Sequence, residues 1–231
     1  MLLAVNFTGC SISYKEENNL EKKDTNISRE IMDNFSKAIA NYPNNFYFYL
    51  ERGKARQDYG DFKGAIDDFY SAFKINPDKR YLFYAANAKF DYGDYMGAIK
   101  DYEELISIKK IRDQIFFNIA SAQFTNLNYP EAIKNYSKAI LYDKNDDKAY
   151  LNRGNAKFKI SDYEGATKDY EKFLNINKNS YIVFNNLGVS KFKLGEYESA
   201  ILDFKKSLIL PLSTLSVFPV SVPVLKSFTN L

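Results

Sequence analysis

Histidine is absent from the 231 residues, and cysteine occurs once. These two gaps remove most metal sites and the usual acid-base machinery at neutral pH. A single cysteine also forbids a disulfide within one chain. Tryptophan is missing too, although 19 Tyr and 19 Phe make the chain rich in aromatic rings. Nor is there a strong charge bias: 32 basic residues face 29 acidic ones, for a formal net charge of +3. That balance argues against nucleic acid and against an anionic membrane surface as partners. With 45% hydrophobic and 26% charged residues, the composition supports a packed core and excludes general disorder.

What the chain does contain is repetition. The stretch Leu151 to Asn179 reads as two short amphipathic helices joined by a tight turn, and near copies of it fill most of the sequence. Five units run 46–79, 79–112, 113–146, 147–180 and 181–214. Their register is set by columns of small residues: Gly53, Ala86, Ala120, Gly154 and Gly188, each followed twelve residues later by Ala65, Ala98, Ala132, Ala166 or Ala200. Successive members stand 34 apart except for one step of 33, which places a one-residue deletion near Asp78 to Arg80. A small residue midway along each helix lets two backbones approach at ridge-into-groove distance. Large residues flank these columns: Tyr49, Leu82, Phe116, Tyr150 and Phe184 before the first, and Phe69, Tyr102, Tyr136, Tyr170 and Phe204 after the second.

The turns carry their own signals. Gly60, Gly93 and Gly195 stand where the first helix must end, as suits a left-handed C-terminal cap. Asp61, Asp94, Asn128 and Asp162 follow as acceptors for the free amides that open the second helix. Pro130 falls in that helix's first turn, where proline is tolerated, and an aromatic follows each cap. Ahead of the full units, Ile31, Met32, Phe35, Ala38 and Ile39 form one helical face that ends at Tyr42-Pro43, so residues 27–45 are expected to be a half unit holding a second helix only.

The combination of a large aromatic, a small residue, an aromatic at the turn, Ala, another large aromatic and a closing Pro over 34 residues resembles the tetratricopeptide repeat, over about three quarters of the chain. Tyr, Phe or Leu replaces the family's frequent Trp. The closing Pro stands at Pro43 and Pro77, is shifted to Pro211, and is Lys110, Lys144 or Lys178 elsewhere. The resemblance implies an all-α fold, an α-solenoid of antiparallel helix pairs wound as a right-handed superhelix, with a concave groove lined by the first helices. Each unit buries its apolar face only by stacking on its neighbours.

A comparison of the units with one another yields a pairing. Arg56, Lys89, Gln123, Lys157 and Lys191 lie three residues after the first small column, and Asp68, Asp101, Asn135, Asp169 and Asp203 lie just before the second-helix aromatic. The one unit lacking the cation also lacks the anion, so each cation is expected to pair with the Asp of its own hairpin, contributing about 0 to 1 kcal/mol if exposed. Acidic pairs such as Asp67-Asp68 and Glu103-Glu104 are otherwise expected to be solvated.

In the family, groove-facing residues of the first helices carry ligand contacts. By position these are Arg80, Phe83, Asn87 and Phe90; Gln114, Phe117, Ser121 and Phe124; Lys148, Leu151, Asn155, Phe158 and Lys159; then Ile182, Asn185, Phe192 and Lys193, with Leu50, Lys54 and Gln57 in the first unit. Rings flanked by Asn and Lys suit an extended peptide or partner helix. The competing reading is that several of these rings pack on neighbouring repeats as core. Some family members clamp a carboxyl terminus with a groove Lys and Asn. Here Leu50 and Leu151 replace the required Lys, which disfavours an acidic-tail adaptor. The column Asn118, Asn152 and Asn186 is similar to the asparagine ladder of sugar-transferase repeats, but no catalytic domain follows.

Both ends depart from the repeat. Met1 to Phe7 is apolar, Thr8 and Gly9 are small, and Cys10 precedes a polar run, which resembles the end of a bacterial lipoprotein signal with Cys10 as the lipidation candidate. No basic segment precedes it, and an incidental cysteine is the alternative. Residues 1–26 are thus expected to be a signal remnant and tether, 46–211 the five repeats, and 212–231 an apolar tail lacking helical period. A charge-free run from Ser207 to Leu225 reaches the length of a membrane span, but its prolines argue against one. The function expected is a non-enzymatic scaffold for a protein or peptide partner, with no cofactor and no nucleic acid, touching a membrane only through a lipid at Cys10. Its location would be a bacterial envelope if the start is incomplete and the cytoplasm otherwise. The alternative is a regulatory or substrate-recruiting fragment of a larger enzyme or envelope assembly.

Overall fold

The structure is a computed structural model that describes residues 25–215. Cys10, the signal-like segment and the tail after Leu215 lie outside the described residues. The chain runs α1 (Thr25–Asn41), α2 (Phe46–Tyr59), α3 (Phe62–Ile75), α4 (Arg80–Tyr92), α5 (Tyr95–Leu105), α6 (Arg112–Thr125), α7 (Tyr129–Tyr142), α8 (Asp147–Lys159), α9 (Tyr163–Ile176), α10 (Tyr181–Lys193) and α11 (Tyr197–Leu215), with one short 3-10 turn at Lys109–Ile111. No strand occurs among the described residues. The fold is the expected all-α arrangement of antiparallel helix pairs.

The chain divides into two compact units, residues 1–149 and 150–231. Within the first, each helix from α1 to α7 packs on its neighbour in sequence, and within the second α9 packs on α10 and α10 on α11. Contacts between successive helices are what a stacked array requires, since a single hairpin cannot cover its own apolar face. In the core Ala65, Ala98, Ala132, Ala166 and Ala200 are all buried. The first small column is as tight. A Cβ added to Gly53 would lie 2.7 Å from Phe69, one on Gly154 2.8 Å from Tyr170 and one on Gly188 2.8 Å from Phe204. The large ring of each second helix therefore lies across the small residue of its own first helix, as the columns predicted.

All five turns use one backbone solution. Gly60, Gly93 and Gly195 adopt φ of 93°, 92° and 81°, and the same station is occupied by Leu127 at 61° and Ser161 at 65°. At each turn the amide of the next residue reaches back to the first helix, for example Asp61 N to Arg56 O at 2.8 Å and Asn128 N to Gln123 O at 2.8 Å, which closes a Schellman cap. The left-handed position is thus imposed even where no glycine announces it.

The caps of the second helices differ from expectation in one case. Asp61, Asp94 and Asp162 accept from the amides of Gly64, Gly97 and Gly165 at 3.0, 2.9 and 2.9 Å. Asn128 makes no such bond. The three capping units carry glycine at the amide that donates, and a Cβ there would come within 2.1 to 2.2 Å of the carboxylate. Glu131 fills that place after Asn128, so Asp-x-x-Gly acts as one cap and Asn-x-x-Glu does not.

Two second helices end differently from the rest. α5 stops at Leu105, and Ile106, Ile108 and Ile111 continue as an irregular strip against the core of the first unit. β-branched residues pack there while disfavouring another helical turn. The last helix continues past Pro211 to Leu215, beyond the point where the repeats were expected to close. No helix among the described residues is long and apolar enough to cross a membrane.

Candidate functional site

Between the two helices of each hairpin lies the expected set of polar pairs. Arg56 meets Asp68, Lys89 meets Asp101, Lys157 meets Asp169 and Lys191 meets Asp203, each at 2.8 Å. In the third hairpin Asn135 Nδ2 donates to Gln123 Oε1 at 2.9 Å. The weak contribution of an exposed pair does not apply to them, because Asp68, Asp101, Asp169 and Asp203 are only 2 to 5% exposed. Asp68 in particular is a core carboxylate, not a solvated one. Removing one member of a buried pair leaves a bare charge and typically costs about 3 to 5 kcal/mol.

Sequence comparison missed the second donors. Arg52 grips Asp68 through Nε at 2.9 Å and Nη2 at 2.7 Å, and Arg153 grips Asp169 at 2.8 and 2.6 Å. Each guanidinium also lies over a ring, Arg52 over Tyr49 and Arg153 over Tyr150. A signal was present in the near-identical strings Tyr49-Leu50-Glu51-Arg52-Gly53 and Tyr150-Leu151-Asn152-Arg153-Gly154. In the second hairpin Tyr70, from the preceding α3, donates to Asp101 at 2.6 Å. The bond to Asp68 raises the Arg52 pKa against the opposing effect of burial. Burial works against the Lys89 ammonium as well, yet its bonds to Asp101 and Tyr70 outweigh this and raise its pKa. Burial and the bond to Asp101 raise that of the Tyr70 phenol.

On the face itself, the rings make a regular pattern. Phe90, Phe124, Phe158 and Phe192 each meet the turn tyrosine of their own hairpin edge to face, with centroids 5.2 to 5.4 Å apart. Phe83 and Phe117 do the same with Tyr102 and Tyr136 at 6.0 and 5.5 Å. These rings hold the hairpins together on one side while remaining half-buried, except Phe192, which is exposed. Leu151 is different: it is 5% exposed and packs among Ala166, Tyr170 and Phe173, so it belongs to the core. Arg80 folds back onto Asp78, and Gln114, Lys148 and Asn185 are exposed. Lys159 is half-buried.

The polar members are bound from below. Tyr102 donates to Asn87 Oδ1, which Asn118 Nδ2 also reaches at 3.5 Å. Tyr170 donates to Asn155 Oδ1 at 2.8 Å with Asn186 Nδ2 at 3.4 Å, and Ser121 shares a bond with Tyr136 at 3.1 Å. The tyrosines of the second helices thus orient the amides and hydroxyl of the first. Burial raises the pKa of both Tyr102 and Tyr136, keeping these phenols as neutral donors.

Within the first unit these side chains surround a depression of about 350 Å³, lined by Gln57 of α2, Asn87, Phe90 and Asp91 of α4, Tyr102 of α5, and Phe117, Asn118 and Ser121 of α6. Five of the residues expected on the face, Gln57, Asn87, Phe90, Phe117 and Ser121, are brought together here.

A profile described as TPR repeat matches residues 128–161, and a second, described as Tetratricopeptide repeat, matches 147–180 and 182–209. Residues 128–209 of the chain carry tetratricopeptide repeats. With them it is a protein–protein interaction scaffold in general terms. No curated protein matches its sequence. Among solved structures, a MamA protein is 21% identical and superposes with a TM-score of 0.68 over 77% of this chain and 97% of its own. The C-terminal part of a TPR repeat-containing protein from Cytophaga hutchinsonii is 20% identical, with a TM-score of 0.73 over 82% of this chain and 76% of that one. YrrB, described as a TPR protein with an unusual peptide-binding site, is 16% identical with a TM-score of 0.62, covering 79% of this tetratricopeptide-repeat chain and 95% of YrrB. At these identities the likeness is one of fold.

Proposed function

We propose that this tetratricopeptide-repeat protein binds an extended peptide on the first-helix face of its repeats, with the depression between α2, α4 and α6 as a principal contact. The observation that carries this reading is the make-up of the depression: half-buried rings of Phe90 and Phe117 beside the amides of Asn87, Asn118 and Gln57. Rings supply apolar anchors, and amides bond the unsatisfied backbone of an extended chain. Asn87 is prepared for that role, because its oxygen is already engaged by Tyr102 and its Nδ2 hydrogens are left as donors. The description of YrrB as carrying a peptide-binding site is consistent with such a use of the fold.

The test is selection of peptides from a random dodecapeptide display library on the full chain, followed by calorimetric titration of the winners. Phe117→Ala should weaken binding about tenfold or more, the loss of about 1.4 kcal/mol. Gln57→Ala, at the rim, should weaken it with no change in unfolding midpoint. Full retention of affinity in both variants would remove this face as the site.

A further inference from the structure

The depression in the first unit carries one carboxylate, Asp91, and no cation among its lining residues. Asp91 is exposed, and its only bond among the described residues comes from Gln57 Nε2, which donates to Oδ2 at 2.8 Å. That bond ties a neutral amide to the carboxylate and leaves its charge uncompensated, while the lysines of α2 and α4 are committed elsewhere: Lys54 to Glu51 and Lys89 to Asp101, each at 2.8 Å. Beside the carboxylate stand the rings of Phe90 and Phe117. A negative charge next to aromatic rings in a recess is the setting that receives a cationic side chain, because the rings attract the charge and cover its aliphatic stem while the carboxylate pairs with its head.

The register of the chain adds a second observation. The station that holds Asp91 holds Asp58 in the first hairpin, Thr125 in the third, Lys159 in the fourth and Lys193 in the fifth. The sign of the display face at this column therefore changes from acidic in the first unit to basic in the second, although the whole chain is close to neutral. A balanced total charge conceals a segregated one.

We propose that the Asp91 depression receives a basic side chain, arginine or lysine, of the bound peptide, and so sets which part of that peptide lies on the first unit. This rests on the peptide-binding reading above and adds to it the chemistry of the residue read at this place. An acidic side chain is rejected there by like charge, and a neutral one leaves Asp91 unpaired.

The experiment uses the same dodecapeptide display library on the full chain, with Asp91→Asn as the second bait. Peptides selected by the parent should be enriched in Arg or Lys at one position. Replacing that residue by Gln, or Asp91 by Asn, should each weaken binding about tenfold, and the two changes together should cost little more than either one. Affinity of the parent should also fall on going from 50 to 500 mM salt more steeply than that of Asp91→Asn. Peptides that lose affinity with Phe117→Ala and Gln57→Ala but show no basic preference, or no response to Asp91→Asn, would overturn this inference and leave the peptide-binding face standing. Recovery of no peptide, or of peptides indifferent to both Phe117→Ala and Gln57→Ala, would overturn the two together.

Discussion

Asn135 donates to Gln123 across the third hairpin at 2.9 Å, in the place where the other four hairpins bury an ion pair. The contact joins the same two stations, twelve residues apart, in all five, and in the third the charge is missing from both partners at once. A neutral amide pair spans the same place with the donor now on the second helix, and without the cost of desolvating two ions. The pairs therefore act as a register device whose chemistry is interchangeable so long as both sides change together.

That interchangeability is measurable in a double-mutant cycle. Asn135→Asp alone buries a carboxylate with only an amide to face it and should cost about 3 kcal/mol, read from urea unfolding. Gln123→Lys combined with Asn135→Asp should restore most of that loss. A single variant as stable as the double would mean the site is not desolvated.

Leu127 and Ser161 occupy a left-handed turn position that glycine fills in the three other hairpins. A side chain there costs about 1 to 2 kcal/mol, part of which glycine returns through the greater freedom of the unfolded chain. Leu127→Gly and Ser161→Gly should each raise stability by about 0.5 to 1 kcal/mol, visible as a higher midpoint in thermal or urea unfolding. Leu127 is 71% exposed, so its removal forfeits little packing. A lower midpoint in either variant would show that the turn geometry is not what limits it.

Alkaline pH should weaken the cluster of Lys89, Tyr70 and Asp101 along with the buried phenols of Tyr102 and Tyr136. Lys89 and Tyr70 both have raised pKa values in the fold, the lysine because its bonds to Asp101 and Tyr70 outweigh burial, the phenol because of burial and its bond to Asp101. For each, the protonated form is favoured by folding, so the stabilisation is whole below the unfolded values of about 10.4 and 10 and is lost as pH rises through the folded ones. Unfolding free energy should be flat from pH 7 to about 9.5 and fall above it. Tyr70→Phe should reduce that fall, and a variant with an unchanged alkaline slope would assign it to other groups.

Much of this was legible in the residues because repetition turns one sequence into five aligned copies. The columns of Gly53 and Ala65 and their successors locate both helices of each hairpin, and the matched loss of charge at Gln123 and Asn135 points to a contact between them. Where the copies differ, the reading was weaker. Asn128 looked like its aspartate counterparts, but the side chain three residues on removes the space that the cap needs. Leu127 and Ser161 carry no sign of a left-handed conformation, because the backbone bonds that close the turn impose it without help from the residue type.

Composition and periodicity by themselves determined the all-α hairpin repeat, its register, the absence of histidine chemistry and the partners of the polar pairs, since these depend on residue type and spacing along the chain. Only the tertiary structure decided how deeply those pairs are buried, which arginines join them, that Leu151 is core while Phe192 is exposed, and that Asn87, Phe90, Asp91 and Phe117 close around one depression. The physical reason is that burial and convergence are set by what the neighbouring helix covers. Spacing along one helix specifies which face a side chain is on, and the helix packed beside it specifies whether water, another side chain or a partner meets it there.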